Sequence, residues 1–242
     1  MSPAIQMYSF KPDILTAVGF DRKTDFREQR EAWGDAIKTQ ANQLSAGIRK
    51  GLVFSKTLDS EGEMIISAEV GAGETYLISL GRSALRATAC RVSGFDFFTQ
   101  IVAPIFVDTL KRLDCDELSL LGVMFQFSLM ASDDKAKEAE FLAKWPVGGG
   151  FKPTDCKTND IQGISSRLVY KGAAGITHIV GASLEVTGRP RVRFAIDTRK
   201  ESREATPSVQ SLCSFYAGAE KYVTDVLAES MGPFFETCVA EH

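Results

Sequence analysis

From residue 118 to residue 131 the chain carries no charged side chain, and no polar one heavier than that of Gln126. Such a run has to be buried. Within it Val123, Phe125, Phe127 and Leu129 alternate with Gly122, Met124, Gln126 and Ser128. That is the period of a β-strand, and its apolar content predicts a central strand covered on at least one face. Just upstream, Phe98, Val102, Ile105, Phe106, Leu110 and Leu113 recur at three- and four-residue steps, the spacing of one helical face. Asp96, Gln100, Pro104, Asp108 and Lys111 form a narrow opposite stripe, so most of this helix is expected to be wrapped in protein. Pro104 lies on the wet stripe, where the carbonyl it frees can turn to water, which predicts a bend instead of a break. A turn at 114–116 joins helix to strand. Residues 95–131 are therefore the expected core, and they are too short and interrupted to cross a bilayer as a helix.

The rest of the chain arranges itself around this stretch. Residues 5–10 alternate weakly and predict a first strand that Pro12 closes or places at an edge. Thr24 or Asp25 can cap a helix running to about Arg49, with Phe26, Trp33, Ile37, Leu44 and Ile48 as its buried stripe; Gly34 and Gly47 weaken it slightly. Strands are expected at 52–58, 63–70, 75–80 and 85–92, separated by turns at 60–62, 71–73 and 81–83, which makes an antiparallel meander. After the central strand, Asp133 can cap a short charged helix to about Trp145.

Residues 146–163 hold Gly148, Gly149, Gly150, Pro153, Asn159 and Gly163 with little periodicity, and read as a linker or long functional loop. Further strands are expected at 166–171, 177–187 and 191–198, then a helix starting at Thr206-Pro207. Val209, Leu212, Tyr216, Ala219, Val223, Val226 and Leu227 form its apolar face, and Gly232-Pro233 stops it. The expected fold class is α+β, with two antiparallel meander-plus-helix halves, 1–145 and 164–242, sharing a core around the central strand. Gly73-x-Thr75 returns 102 positions later as Gly175-x-Thr177, so the halves read as an internal duplication. The plainer alternative is that a meander followed by a helix is a common way to build α+β layers.

Composition removes several functions. A net charge of −3 argues against broad, sequence-blind nucleic-acid binding, which needs many phosphate-neutralising cations. No signal-peptide pattern opens the sequence and no apolar run is long enough to span a membrane, so a cytoplasmic protein is expected. Cys90, Cys115, Cys156, Cys213 and Cys238 are odd in number and without a close pair, which fits free thiols in a reducing compartment. There are two histidines, and His242 is the last residue. Histidine-based nucleophilic catalysis would therefore have to use His178, which shares its alternating face with Val180, Ala182, Leu184 and Val186. A structural histidine is the plainer reading and a general base the sharper one.

No zinc-ligand spacing is present. Asp114, Asp116 and Glu117 make the tightest acidic cluster, read as a solvated turn or, alternatively, a divalent-cation site. The glycine runs at 71–73 and 148–150 lack the spacing of a phosphate-binding loop, and no cofactor is expected. The one unusual surface is basic. If Val192, Phe194 and Ile196 face the core, Arg191, Arg193, Ala195 and Asp197 turn outward, with Arg189, Arg199, Lys200 and Arg203 extending the charge. Glu185, Glu201 and Glu204 offset it in the plain reading of a solvated face. In the sharper reading it docks an acidic protein segment or a nucleotide-like ligand, since arginine's planar fork suits carboxylates and phosphates.

Gly73, Leu77, Leu85, Phe95-x-x-Phe98 and Leu121-Gly122-Val123-Met124-Phe125 together resemble a sporadically distributed bacterial family of about this length and of unknown function. Phe194-Ala195-Ile196-Asp197 is similar to a later strand of that family, while the arginines and asparagine of its central strand are missing here. The resemblance spans 73–131 and, less fully, 194–232. It implies an accessory or defence role and no catalytic residue. The expected function is thus a non-enzymatic binding or regulatory protein of the bacterial cytoplasm with a protein partner. The alternative is an enzyme or small-molecule-binding domain with its site between the halves, near His178 and the 146–163 loop.

Overall fold

Period-two and period-3.6 patterning resolve into one antiparallel sheet, and the described helices pack on one side of it. The computed structural model describes residues 7–20, 30–48, 52–58, 63–71, 73–115, 117–131, 163–185, 191–201, 204–229 and 238–240. In chain order the elements begin with β1 (Asp13–Phe20), α1 (Arg30–Ile48), β2 (Ser55–Leu58), β3 (Met64–Val70), β4 (Glu74–Leu80) and β5 (Ala84–Cys90). A π-helical turn (Phe98–Val102) then runs into α2 (Ala103–Arg112), followed by the long β6 (Glu117–Ala131). The remainder is β7 (Gly163–Lys171), β8 (Ile176–Glu185), β9 (Arg191–Lys200), β10 (Glu204–Ala205), α3 (Val209–Glu229) and β11 (Cys238–Ala240). The sheet order is β2-β3-β4-β5-β1-β6-β9-β8-β7, with β10 and β11 also pairing to β6.

The central strand is where its alternation puts it. β6 pairs with β1 on one side and with β9 on the other, both antiparallel. From this seam β5, β4, β3 and β2 run outward in one direction, and β9, β8 and β7 in the other. The first array is followed in sequence by α2 and the second by α3.

The first strand differs from expectation. Residues 7–9 form a helical turn, and the strand begins after Pro12. Met7 and Phe10 serve packing from that turn: Met7 is buried, and the Tyr8 hydroxyl donates to Glu220 Oε1 on α3 at 2.5 Å. Pro12, which has no N–H to give, leads into the strand and accepts from Val92 N–H at 3.1 Å. The real alternation is Ile14, Thr16 and Val18 inward, leading to Phe20.

At Pro104, where a bend is expected, the helical winding changes. The proline occupies an early position of α2, and the turn before it is wound to the π spacing, which absorbs the missing backbone donor. At the other end Asp114 takes a left-handed φ of 52°. Asp114 N–H donates to Lys111 O and Cys115 N–H to Leu110 O, both at 3.1 Å, a paired closure that satisfies the last carbonyls of the helix. For α3, Ser208 is the capping residue, accepting from Ser211 N–H at 3.1 Å. Thr206, two residues earlier, instead bonds through its hydroxyl to the carbonyl of Cys115. Gly34, a weak point for helix propensity, is where α1 comes close to the sheet: a Cβ there would lie 2.2 Å from Met64 Sδ.

Between sheet and helices lies an aromatic core. Phe125 stacks on Phe95 at 5.7 Å, and the Tyr216 ring of α3 meets Phe95 edge-on at 5.9 Å. Phe125 is opposed by Ile14 on β1 and Ile196 on β9, so one buried row crosses the seam between the two arrays. The hydroxyls of Tyr216 and Thr16 are buried in this core, and burial raises the Tyr216 phenol well above its ordinary range. Among the described residues no helix is long and apolar enough to cross a membrane. The expected helix at 133–145 and the loop at 146–162 lie outside the described residues, as do the turn at 188–190 and the stop at 232–233. Gly163, the end of the expected loop, opens β7.

Candidate binding surface

Because the helices cover one face, the alternate side chains of every strand form a second face with no described helix on it. The register defines its rows. Across the centre, Leu15 of β1, Met124 of β6, Asp197 of β9, Ile179 of β8 and Val169 of β7 stand side by side. The next row holds Asp13, Gln126, Ala195, Gly181 and Arg167. Leu15, Met124, Gln126, Ala195, Asp197 and Ile179 are half-buried, and Arg167, Val169 and Arg193 are exposed. Over β6–β9–β8–β7 this face dips into a depression of about 410 Å³, floored by Met124, Ile179, Gly181 and Ala195 and rimmed by Arg167, Arg193 and Arg199.

Charge at the rim is unbalanced. Among the described residues Asp197 is the one acidic side chain lining the depression, and it accepts from Arg199 Nε at 3.0 Å. Arg199 Nη1 also donates to Glu201 Oε1 at 2.9 Å. These two carboxylates, Asp197 first, hold the Arg199 guanidinium above its ordinary pKa, so it stays a fixed cation. Arg193 and Arg167 stand on either side of β8. The floor is small and apolar, so an extended chain could lie flat on it with its acidic groups toward the rim.

The predicted basic residues divide. Arg191, Arg193 and Arg199 fall on the open face as alternation requires. β9 continues to Lys200, past the expected end at 198, so Lys200 follows Val192, Phe194, Ile196 and Thr198 onto the helix side and leaves the cluster. Arg189 and Arg203 lie outside the described residues. Arg167 was missed by sequence reasoning, although Arg167, Val169 and Lys171 alternate along β7 and carried the signal.

His178 has a different environment. It is on β8, separated from β6 by β9, so it does not stand at the seam between the arrays. Its ring is 8% exposed and stacks on Tyr222 of α3 at 3.8 Å. Nδ1 lies 3.1 Å from Thr198 Oγ1. Burial lowers its pKa, favouring the neutral ring at neutral pH. Neutral, stacked and hydrogen-bonded, it locks α3 to β8. At the seam β6 is hydrogen-bonded to β1 and β9 and backed on the helix side by Phe125, while on the other face the depression lies over β6 and β9.

Asp114 is used as the helix-closing residue described above, Glu117 is exposed at the start of β6, and Asp116 lies outside the described residues. Among the described residues no group of three histidine, cysteine or acidic side chains is placed to hold a metal ion. Among the described residues Cys90, Cys115 and Cys213 form no disulfide with one another. No protein-family model matches this chain, and no curated protein matches it significantly.

Proposed function

We propose that this chain is a non-enzymatic binding or regulatory protein of the bacterial cytoplasm, serving an accessory or defence role, and that its open sheet face takes an acidic segment of a partner protein. One observation carries the reading: Arg167, Arg193 and Arg199 surround an apolar floor on which no described helix lies, and among the described lining residues Asp197 is the only acid. Exposed arginines at the edge of a half-dry surface gain more from a carboxylate than isolated surface charges do. Described cysteines that form no disulfide with one another suit a reducing compartment. The resemblance over 73–131 supports the accessory role. The two arrays, each a meander followed by a helix, are proposed to descend from an internal duplication, with β1 and β6 as equivalent strands.

Charge reversal tests the function. Arg167→Glu with Arg193→Glu should leave the thermal melt unchanged, because both side chains are exposed. Affinity for an acidic partner, recovered from the native host and re-made as a synthetic segment, should fall about tenfold or more. Binding to the parent should weaken steeply with added salt. If the double variant binds every partner that the parent binds, with equal affinity, the face is ordinary surface and the proposal fails.

A further inference from the structure

β7 is the last strand in the order on its side of the sheet, and among the described residues it pairs only with β8. Nine residues long, it contains no proline and pairs with β8 in unbroken register from Gly163 to Lys171. Every second backbone amide and carbonyl along such a strand points away from its neighbour, and among the described residues no strand pairs with that outer side. Of the usual protections of an edge, the described strand has no short length, bulge or proline, and its charge is carried by Arg167 and Lys171. Its adjacent residues Leu168 and Val169 are 57% and 54% exposed, one on each face of the sheet. Arg167 and Lys171 give it two cations on the open face, with no acidic residue anywhere in the strand.

We infer that β7 is an edge to which an extended acidic segment of a partner adds as a further antiparallel or parallel strand. The inference rests on the acidic-partner reading but places the segment beside β7, where it meets Arg167, and not on the floor of the depression. An added strand places alternate side chains on the two faces. On the open face its acidic residues stand beside Arg167 and Lys171, while on the helix side its apolar residues cover Leu168. The occupant is thus an alternating acidic–apolar segment. A second copy of this chain fits less well, because the same strand would bring Arg167 and Lys171 against a partner edge that also has no acid to meet them.

The test uses the full chain and an alternating glutamate–valine peptide of about the length of β7. Amide hydrogen exchange should show unprotected β7 amides in the free protein and protection of alternate ones with peptide. Two further peptides carry N-methyl groups on alternate amides, in opposite phases. Strand addition uses only one set of amides, so one phase should weaken binding about tenfold or more and the other should bind nearly as the parent peptide does. Arg167→Glu with Lys171→Glu should weaken the unmethylated peptide and improve a lysine–valine one. If both methylated phases bind as well as the parent peptide, strand addition is wrong while acidic docking on the face survives. If the parent peptide does not bind and charge reversal has no effect, both readings fail. Full protection of β7 in the free protein, or a dimer broken by substitutions in β7, would overturn the inference because the edge is already taken.

Discussion

Phe125→Ala should lower the free energy of unfolding by about 3–5 kcal/mol, the range for truncating a fully buried aromatic. Phe125 is 0% exposed. It stacks on Phe95, stands between Ile14 and Ile196, and so joins helix layer, first array and second array at one point. The surrounding rings are themselves fixed by Tyr216 and Phe98, which leaves little room for the site to collapse around the missing ring. Urea denaturation of the purified variant measures this directly. A loss below about 1 kcal/mol would mean that the row across the seam is not the core.

Gly19→Ala is expected to destabilise as well, by about 1–3 kcal/mol, the cost of overpacking a filled site. In most strands the same change helps, because glycine gives up more backbone freedom on folding. Here the register between β1 and β6 shifts between Gly19 and Phe20, and a Cβ on Gly19 would lie 2.9 Å from the Cβ of Leu120 and 3.1 Å from Ser119 Oγ. The first contact is to an atom fixed to the backbone, so rotation of a side chain cannot relieve it. A melt showing equal or greater stability for Gly19→Ala would show that β1 and β6 do not approach at this point as described.

What could be read from sequence follows from which interactions are local. The helix over 98–113 and the strand over 117–131 repeat their periods for long enough to leave a pattern, and the meander is punctuated by its turns. The position of β1 is not of this kind. Its pairing with β5 and β6 spans most of the first array, and the short apolar set expected as a strand holds, at 7–9, a helical turn that packs on α3. The outward set of Arg191 and Arg193 was legible because alternation from buried Phe194 is unambiguous. Lys200 was misplaced because strand ends are set by pairing, here with Ile176 and Leu121, and pairing lies outside the local sequence. Arg167 joins the other arginines only across β8, a neighbour relation that no spacing reports.

The open face itself follows from the arrangement as a whole. The described helices lie on one side, so residues that alternate correctly can still end on a face that no described helix covers. Leu15, Met124 and Ile179 are apolar, yet only half-buried, for this reason.

The most direct measurement of this account is a nuclear magnetic resonance titration of the full chain with a short polyglutamate peptide at low ionic strength. The account predicts perturbations at Gln126, Arg167, Ile179, Gly181, Arg193 and Ala195, which fade together as salt is added, with little change at Phe98 or Tyr216 beneath the other face. Perturbations concentrated on the helix side, or none at any peptide concentration, would contradict it.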